Sequence, residues 1–108
     1  MSDLAINEKL DMQKALQEKY KDIWEPICAE TGHNKLLWMI GEIGEVIDIV
    51  KKHGDEKACN DPELRAQLIE EMADVLMYYN DVLNCYGISA GELKDAYTWK
   101  FQRNMSRW

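Results

Sequence analysis

The chain is poor in everything that would staple, span or strongly attract. Of its 108 residues only three are cysteine, Cys28, Cys59 and Cys85, an odd number without C-x-x-C spacing. That suits the reduced thiols of a cytoplasm, which is the expected location, better than a disulfide framework. No apolar run is longer than that of residues 36–40, far short of a membrane span. The first residues, Met-Ser-Asp-Leu-Ala-Ile-Asn-Glu, have neither the basic start nor the apolar stretch of a secretory signal. Positive charge is scarce: 13 Lys and Arg face 20 Asp and Glu, a net charge of −7. A nucleic-acid polymer or an anionic membrane surface would be repelled over most of the molecule and is not an expected partner. Small anionic ligands remain compatible where metal ions intervene. Strand-like alternation, internal repeats and low-complexity linkers are also missing.

What remains is helix. With 46% hydrophobic content the length suits one domain spanning residues 1–108, with a modest core that association would enlarge. The spacing of Leu10, Met12, Ala15, Leu16, Tyr20, Ile23 and Trp24 predicts a helix over 7–24, stopped by Pro26. Residues 26–34 read as a loop. A second helix is expected over 34–53, with Lys51 and Lys52 in its last turn and Gly54 as its cap. Residues 55–60 read as a polar link. Asp61-Pro62-Glu63 opens a third helix running to residue 86, as an N-cap followed by proline at N1. Gly87 ends it, and Ser89-Ala-Gly-Glu92 carries the capping-box pattern for a fourth helix over 90–105. The expected fold is an all-α bundle of about four helices, completed by oligomerisation, with the second and third helices antiparallel across their short connection.

Those two helices carry the chemistry. Glu42 and Glu45 lie in Leu36-Leu-Trp-Met-Ile-Gly-Glu-Ile-Gly-Glu-Val-Ile, and Glu71 and Asp74 in Leu68-Ile-Glu-Glu-Met-Ala-Asp-Val-Leu. Carboxylates three apart on a helix project to one side, so each pair is a clamp of two negative charges. Stepping about 100° per residue sets Glu42 and Glu45 among Trp38, Met39, Val46 and Ile49, and Glu71 among Leu64, Val75, Tyr78 and Val82. Ordinary surface acids project away from the apolar arc, as Asp48 and Glu70 do. Acids on its border suffer desolvation and mutual repulsion, which a hard divalent cation relieves. One such pair is a common accident of helix composition; two on facing stripes form a candidate oxygen-ligand site for Mg²⁺, with Mn²⁺ as substitute.

The arrangement Glu42-x-x-Glu45, residues 46–70, then Glu71-x-x-Asp74 resembles the ExxE and ExxD signature of the all-α nucleoside triphosphate pyrophosphohydrolases, the MazG-like superfamily. Met39-Ile-Gly-Glu-Ile-Gly-Glu-Val is similar to its first motif and Glu70-Glu-Met-Ala-Asp-Val-Leu to its second, within a likeness that runs from residue 34 to 108. The resemblance implies a Mg²⁺-dependent hydrolase that cuts a nucleoside triphosphate between the α and β phosphates, releasing monophosphate and pyrophosphate. It also implies a homodimer or homotetramer. On this reading Glu42, Glu45, Glu71 and Asp74 are metal ligands and catalytic residues, with Glu45 chosen as the group that orients or deprotonates the attacking water.

Past Asp95 the charge reverses. Lys100, Asn104 and Arg107 share one helical face and would reach a triphosphate, although a solvated basic helix end accounts for them equally well. Tyr78, one turn after Asp74, and Trp38, one turn before Glu42, are candidates for holding the nucleoside, against the plain alternative of packing. Lys35, Lys51 and Lys52 are solvated by default, and His33 and His53 share no face. Two other functions fit parts of the pattern. A di-iron carboxylate bundle calls for two Glu-x-x-His repeats, and only Glu30-x-x-His33 has that spacing. A nucleotide-sensing module without turnover would keep the same site.

Overall fold

A computed structural model describes residues 3–107. They form α1 (Ile6–Lys19), α2 (Ala29–His53), α3 (Asp55–Asn60), α4 (Pro62–Cys85) and α5 (Ala90–Arg107), with no strand among the described residues. The expected all-α class holds.

Local chemistry accounts for most boundaries. Asp61 Oδ1 accepts from the backbone N–H groups of Glu63 and Leu64 at 3.0 and 3.2 Å, with Pro62 at the next position, so α4 starts where the sequence signals it. At its other end Gly87 takes φ +66°, the Gly87 N–H donates to Asn84 O, and the Ile88 N–H donates to Leu83 O at 2.9 Å. This pair of bonds is a Schellman closure, which a side chain at 87 would strain. Ser89 and Glu92 cap α5 reciprocally, at 3.0 and 3.1 Å.

Three expectations need correcting. The first helix stops at Lys19 rather than 24; residues 20–24 close a turn in which the Trp24 N–H donates to Tyr20 O. The second begins at Ala29, not 34. Thr31, Gly32 and His33 are helical, because the Thr31 hydroxyl lies 2.6 Å from Pro26 O and 3.0 Å from Cys28 O and anchors the first turn. Gly32 is buried there because Tyr86 crosses it: a Cβ at 32 would stand 2.5 Å from the Tyr86 ring. Residues 55–60 make the short helix α3 rather than a link, and Ala58 is buried.

α2 and α4 are the central pair. Thr31 meets Cys85, Trp38 meets Tyr78, and Glu42 and Glu45 meet Glu71, so the numbering descends on one helix as it rises on the other: they are antiparallel, as expected. α1 lies across α4, tied by Gln13 to Asp81 and by Asn84 to Leu10 O. α5 packs on α1, and its backbone stays clear of α2 and α4.

The buried apolar core is small, comprising Leu10, Ala58, Val82, Leu83 and Cys85 among the described residues. Leu36, Ile40, Ile43 and Ile47 form an exposed stripe on α2, Ile69, Met72, Leu76 and Tyr79 another on α4, and Tyr97, Trp99, Phe101 and Met105 are exposed on α5.

Candidate metal centre and adjoining pocket

One carboxylate oxygen from each of Glu42, Glu45 and Glu71 lies within 4.8 Å of the others. Two come from one α2 turn and the third from the facing turn of α4. Glu45 is exposed, while Glu42 and Glu71 are half-buried. Oε2 of both Glu42 and Glu71 is sealed from solvent and has no hydrogen-bond donor. Sealed carboxylate oxygens without donors are costly.

The electrostatics carry the same mark. A shared hydrogen bond with Glu45, then desolvation, then the Glu45 and Glu42 charges push the Glu71 carboxyl up to about 7. Burial and the Glu45 charge raise Glu42 as well. Without a cation the trio retains a proton it would otherwise lose. Three oxygen donors of like charge, two with an unsatisfied atom, suit a hard divalent ion. Asp74 stands one turn along α4, outside this trio; it is half-buried, its charge acts on Glu42 and Tyr78, and it lines the neighbouring pocket.

That pocket, of about 370 Å³, lies between α1, the turn after it, α2 and α4. Trp38 and Tyr78 both line it, their rings meeting edge to face at 6.2 Å. Trp24 forms another wall, carried by a turn that the Gln17 side chain holds through Glu25 O at 2.7 Å. Burial foremost, then the nearby Glu42, Asp81, Asp74 and Glu45 charges, raises the Tyr78 hydroxyl.

The pocket floor holds polar residues that the sequence did not single out. Lys35, taken above as solvated, is only 5% exposed, and its Nζ lies 3.8 Å from Asp81 Oδ2. Gln13 Nε2 donates to Asp81 Oδ1 at 3.0 Å. Burial raises the Asp81 carboxyl, and Gln13 and Lys35 pull it back. The signal was present in the spacing. Lys35 precedes Glu42 by two helical turns and Asp81 follows Asp74 by two, so each shares the acid stripe of its helix.

Lys100, Asn104 and Arg107 lie exposed on α5, and the chain does not bring them to the acid trio. Lys100 and Arg103 instead flank the Trp99 ring. His33 and His53 are exposed and outside the cluster, and Glu30 and His33 belong to the first turns of α2, away from the acids.

Residues 30–106 match the MazG nucleotide pyrophosphohydrolase domain, and the chain belongs to that family. No curated protein and no solved structure matches it. Family membership makes nucleotide pyrophosphohydrolase chemistry and a nucleotide substrate the frame for the site. No helix among the described residues is long and apolar enough to cross a membrane.

Proposed function

We propose that this chain hydrolyses a nucleoside triphosphate between its α and β phosphates, giving a nucleoside monophosphate and pyrophosphate in the cytoplasm. The observation that carries the reading is the trio of Glu42, Glu45 and Glu71 with its two sealed, donorless oxygens. These residues, with Asp74 on the pocket side, would hold Mg²⁺, or Mn²⁺ in its place. Bound there, the ion would supply charge neutralisation at the phosphates and a more acidic water, which are the main needs of phosphoryl transfer. Glu45, the exposed member, would orient the water or take its proton. Trp38 and Tyr78 seat the nucleoside beside the acids, so the triphosphate extends towards the trio.

The chain works as a homodimer or homotetramer. Its accessible surface is 8172 Å², against about 6,200 Å² for a compact monomer of this mass. The excess on one chain is more than twice what one partner contributes to a standard interface and matches the larger interfaces of obligate oligomers. The exposed apolar stripes of α2 and α4 supply the contact. In such an assembly the α5 face of Lys100, Asn104 and Arg107, remote from its own acids, serves the triphosphate bound to another copy.

Pyrophosphate release from a panel of ribo- and deoxynucleoside triphosphates with Mg²⁺ tests the reaction. Glu42→Gln and Glu71→Gln should keep the helical circular dichroism and lose at least about a hundredfold in turnover. Retained activity in both variants would sink the ligand assignment. Tight nucleotide binding without release would mean a sensor.

A further inference from the structure

The floor of the pocket contains a pair that its own structure leaves unfinished. An ammonium carries three N–H donors, yet Lys35 Nζ makes no hydrogen bond among the described residues; its ion-pair partner, Asp81 Oδ2, is 3.8 Å away. What surrounds it is aromatic. The ring centroids of Trp38, Trp24 and Tyr78 stand 5.1, 5.7 and 6.0 Å from Nζ. Ring faces attract a cation but do not accept its directed hydrogen bonds as oxygen does. Asp81, 7% exposed, is held by one oxygen only: Gln13, 5% exposed, occupies Oδ1 and leaves Oδ2 without a donor among the described residues. A donor and an acceptor thus lie side by side on two largely buried residues that line the cavity, and neither atom is among those sealed from solvent. A ligand edge that offers an acceptor and a donor at this spacing would take the place of water at both atoms.

The missing ligand has a defined chemistry. It is flat enough for Trp24 and Trp38, small enough for about 370 Å³, and offers an acceptor beside an N–H. It also lies against Asp74, Tyr78 and Trp38, next to the acid trio. We propose that Lys35 and Asp81 read the lactam edge of a nucleobase, Lys35 donating to the exocyclic carbonyl oxygen and Asp81 Oδ2 accepting from the adjacent ring N–H. Guanine, hypoxanthine, uracil and thymine present that edge. Adenine and cytosine present a recessed ring nitrogen and a weakly acidic amino group in its place. Charge-assisted hydrogen bonds gain most from the more polar acceptor and the more acidic donor, so the pair favours the lactam. Gln13 acts as a positioning residue, fixing the Asp81 rotamer. The inference rests on the proposed nucleotide site but not on turnover.

Calorimetric titration with deoxynucleoside monophosphates in EDTA isolates base recognition, because the phosphate is common to all and no metal takes part. The expected result is that dGMP and dTMP bind at least about tenfold more tightly than dAMP and dCMP. Lys35→Met should flatten that ranking to within about threefold, the residual expected once the directed bond is gone. Asp81→Asn keeps the size and an acceptor for Gln13 and should weaken the lactam preference. Thermal melts establish that each variant is folded; should Lys35→Met fail to fold, the wild-type ranking and Asp81→Asn decide. Equal binding of dAMP or dCMP, an unchanged ranking in a folded Lys35→Met, or no binding of any monophosphate at millimolar concentration overturns the inference. A lactam ranking without pyrophosphate release would remove the proposed reaction and leave this inference standing. Release from every triphosphate with no ranking would do the reverse.

Discussion

Two charged clusters lie about two turns apart on the same antiparallel helix pair, and they solve burial in opposite ways. At one level Glu42, Glu45 and Glu71 put like charges within 4.8 Å, with sealed oxygens and a retained proton. At the other, Lys35 and Asp81 put opposite charges 3.8 Å apart inside an aromatic box. The first cluster has an excess of acceptors that a cation would neutralise. The second is neutral as a pair and lacks only directed hydrogen bonds, which a neutral polar edge would provide. A nucleotide has both ends in the right order, a charged phosphate chain beside an uncharged base.

The contrast can be broken from either side. The largest stability effect should come from unbalancing the neutral pair. Asp81→Leu leaves Lys35 buried without its counter-charge and should cost about 3 kcal/mol, while the double change Lys35→Met with Asp81→Leu should recover most of it. Urea melts of the two proteins measure the difference, and equal losses would show that the pair is not coupled. The acid cluster should respond to metal instead. Mg²⁺ at about a hundred times its dissociation constant should stabilise the wild type by about 2.7 kcal/mol, and Glu42→Gln should lose most of that gain. Thermal melts with Mg²⁺ or with EDTA decide it.

Both clusters depend on the register between α2 and α4, and the Gly32 to Tyr86 approach is where that register can be disturbed without touching either. Gly32→Ala should destabilise by about 1–3 kcal/mol through overpacking, since the Tyr86 ring must move. Pairing it with Tyr86→Leu should remove most of that loss, as urea midpoints would show.

The smallest effect is the pH response of the metal-free protein. The Glu71 carboxyl is raised from 4.5 to about 7 on folding, so the folded state binds the proton more tightly than the unfolded chain. Its stabilising contribution is complete below pH 4.5 and is lost as pH rises through about 7. Melting temperature in EDTA should therefore decline across that window, and Glu71→Gln should flatten the decline. An identical profile in the variant would show that the trio does not share its proton in the folded protein.

Most helix ends were legible because their chemistry is local. Asp61-Pro62, Gly87 and the Ser89–Glu92 box act within a few residues, and the structure has them at work. The start of α2 was not, because Gly32 reads as a breaker in sequence and is required only by a ring 54 positions away in the chain, that of Tyr86. α3 was missed for the same kind of reason: its six residues gain their fixed geometry by burying Ala58 against neighbouring helices. Lys35 was misread as solvated because lysine is seldom buried, and only its partners across the fold reverse that expectation.

By itself the sequence determined the helical class, the central pair of helices and the two acid motifs, since helical period and the projection of residues three apart are properties of one segment at a time. The tertiary structure decided which acids meet. It joined Glu42, Glu45 and Glu71, set Asp74 towards the pocket and left the basic face of α5 away from both. It also formed the Lys35–Asp81 floor, because the distance between charges on different helices is fixed by packing and register rather than by spacing along the chain.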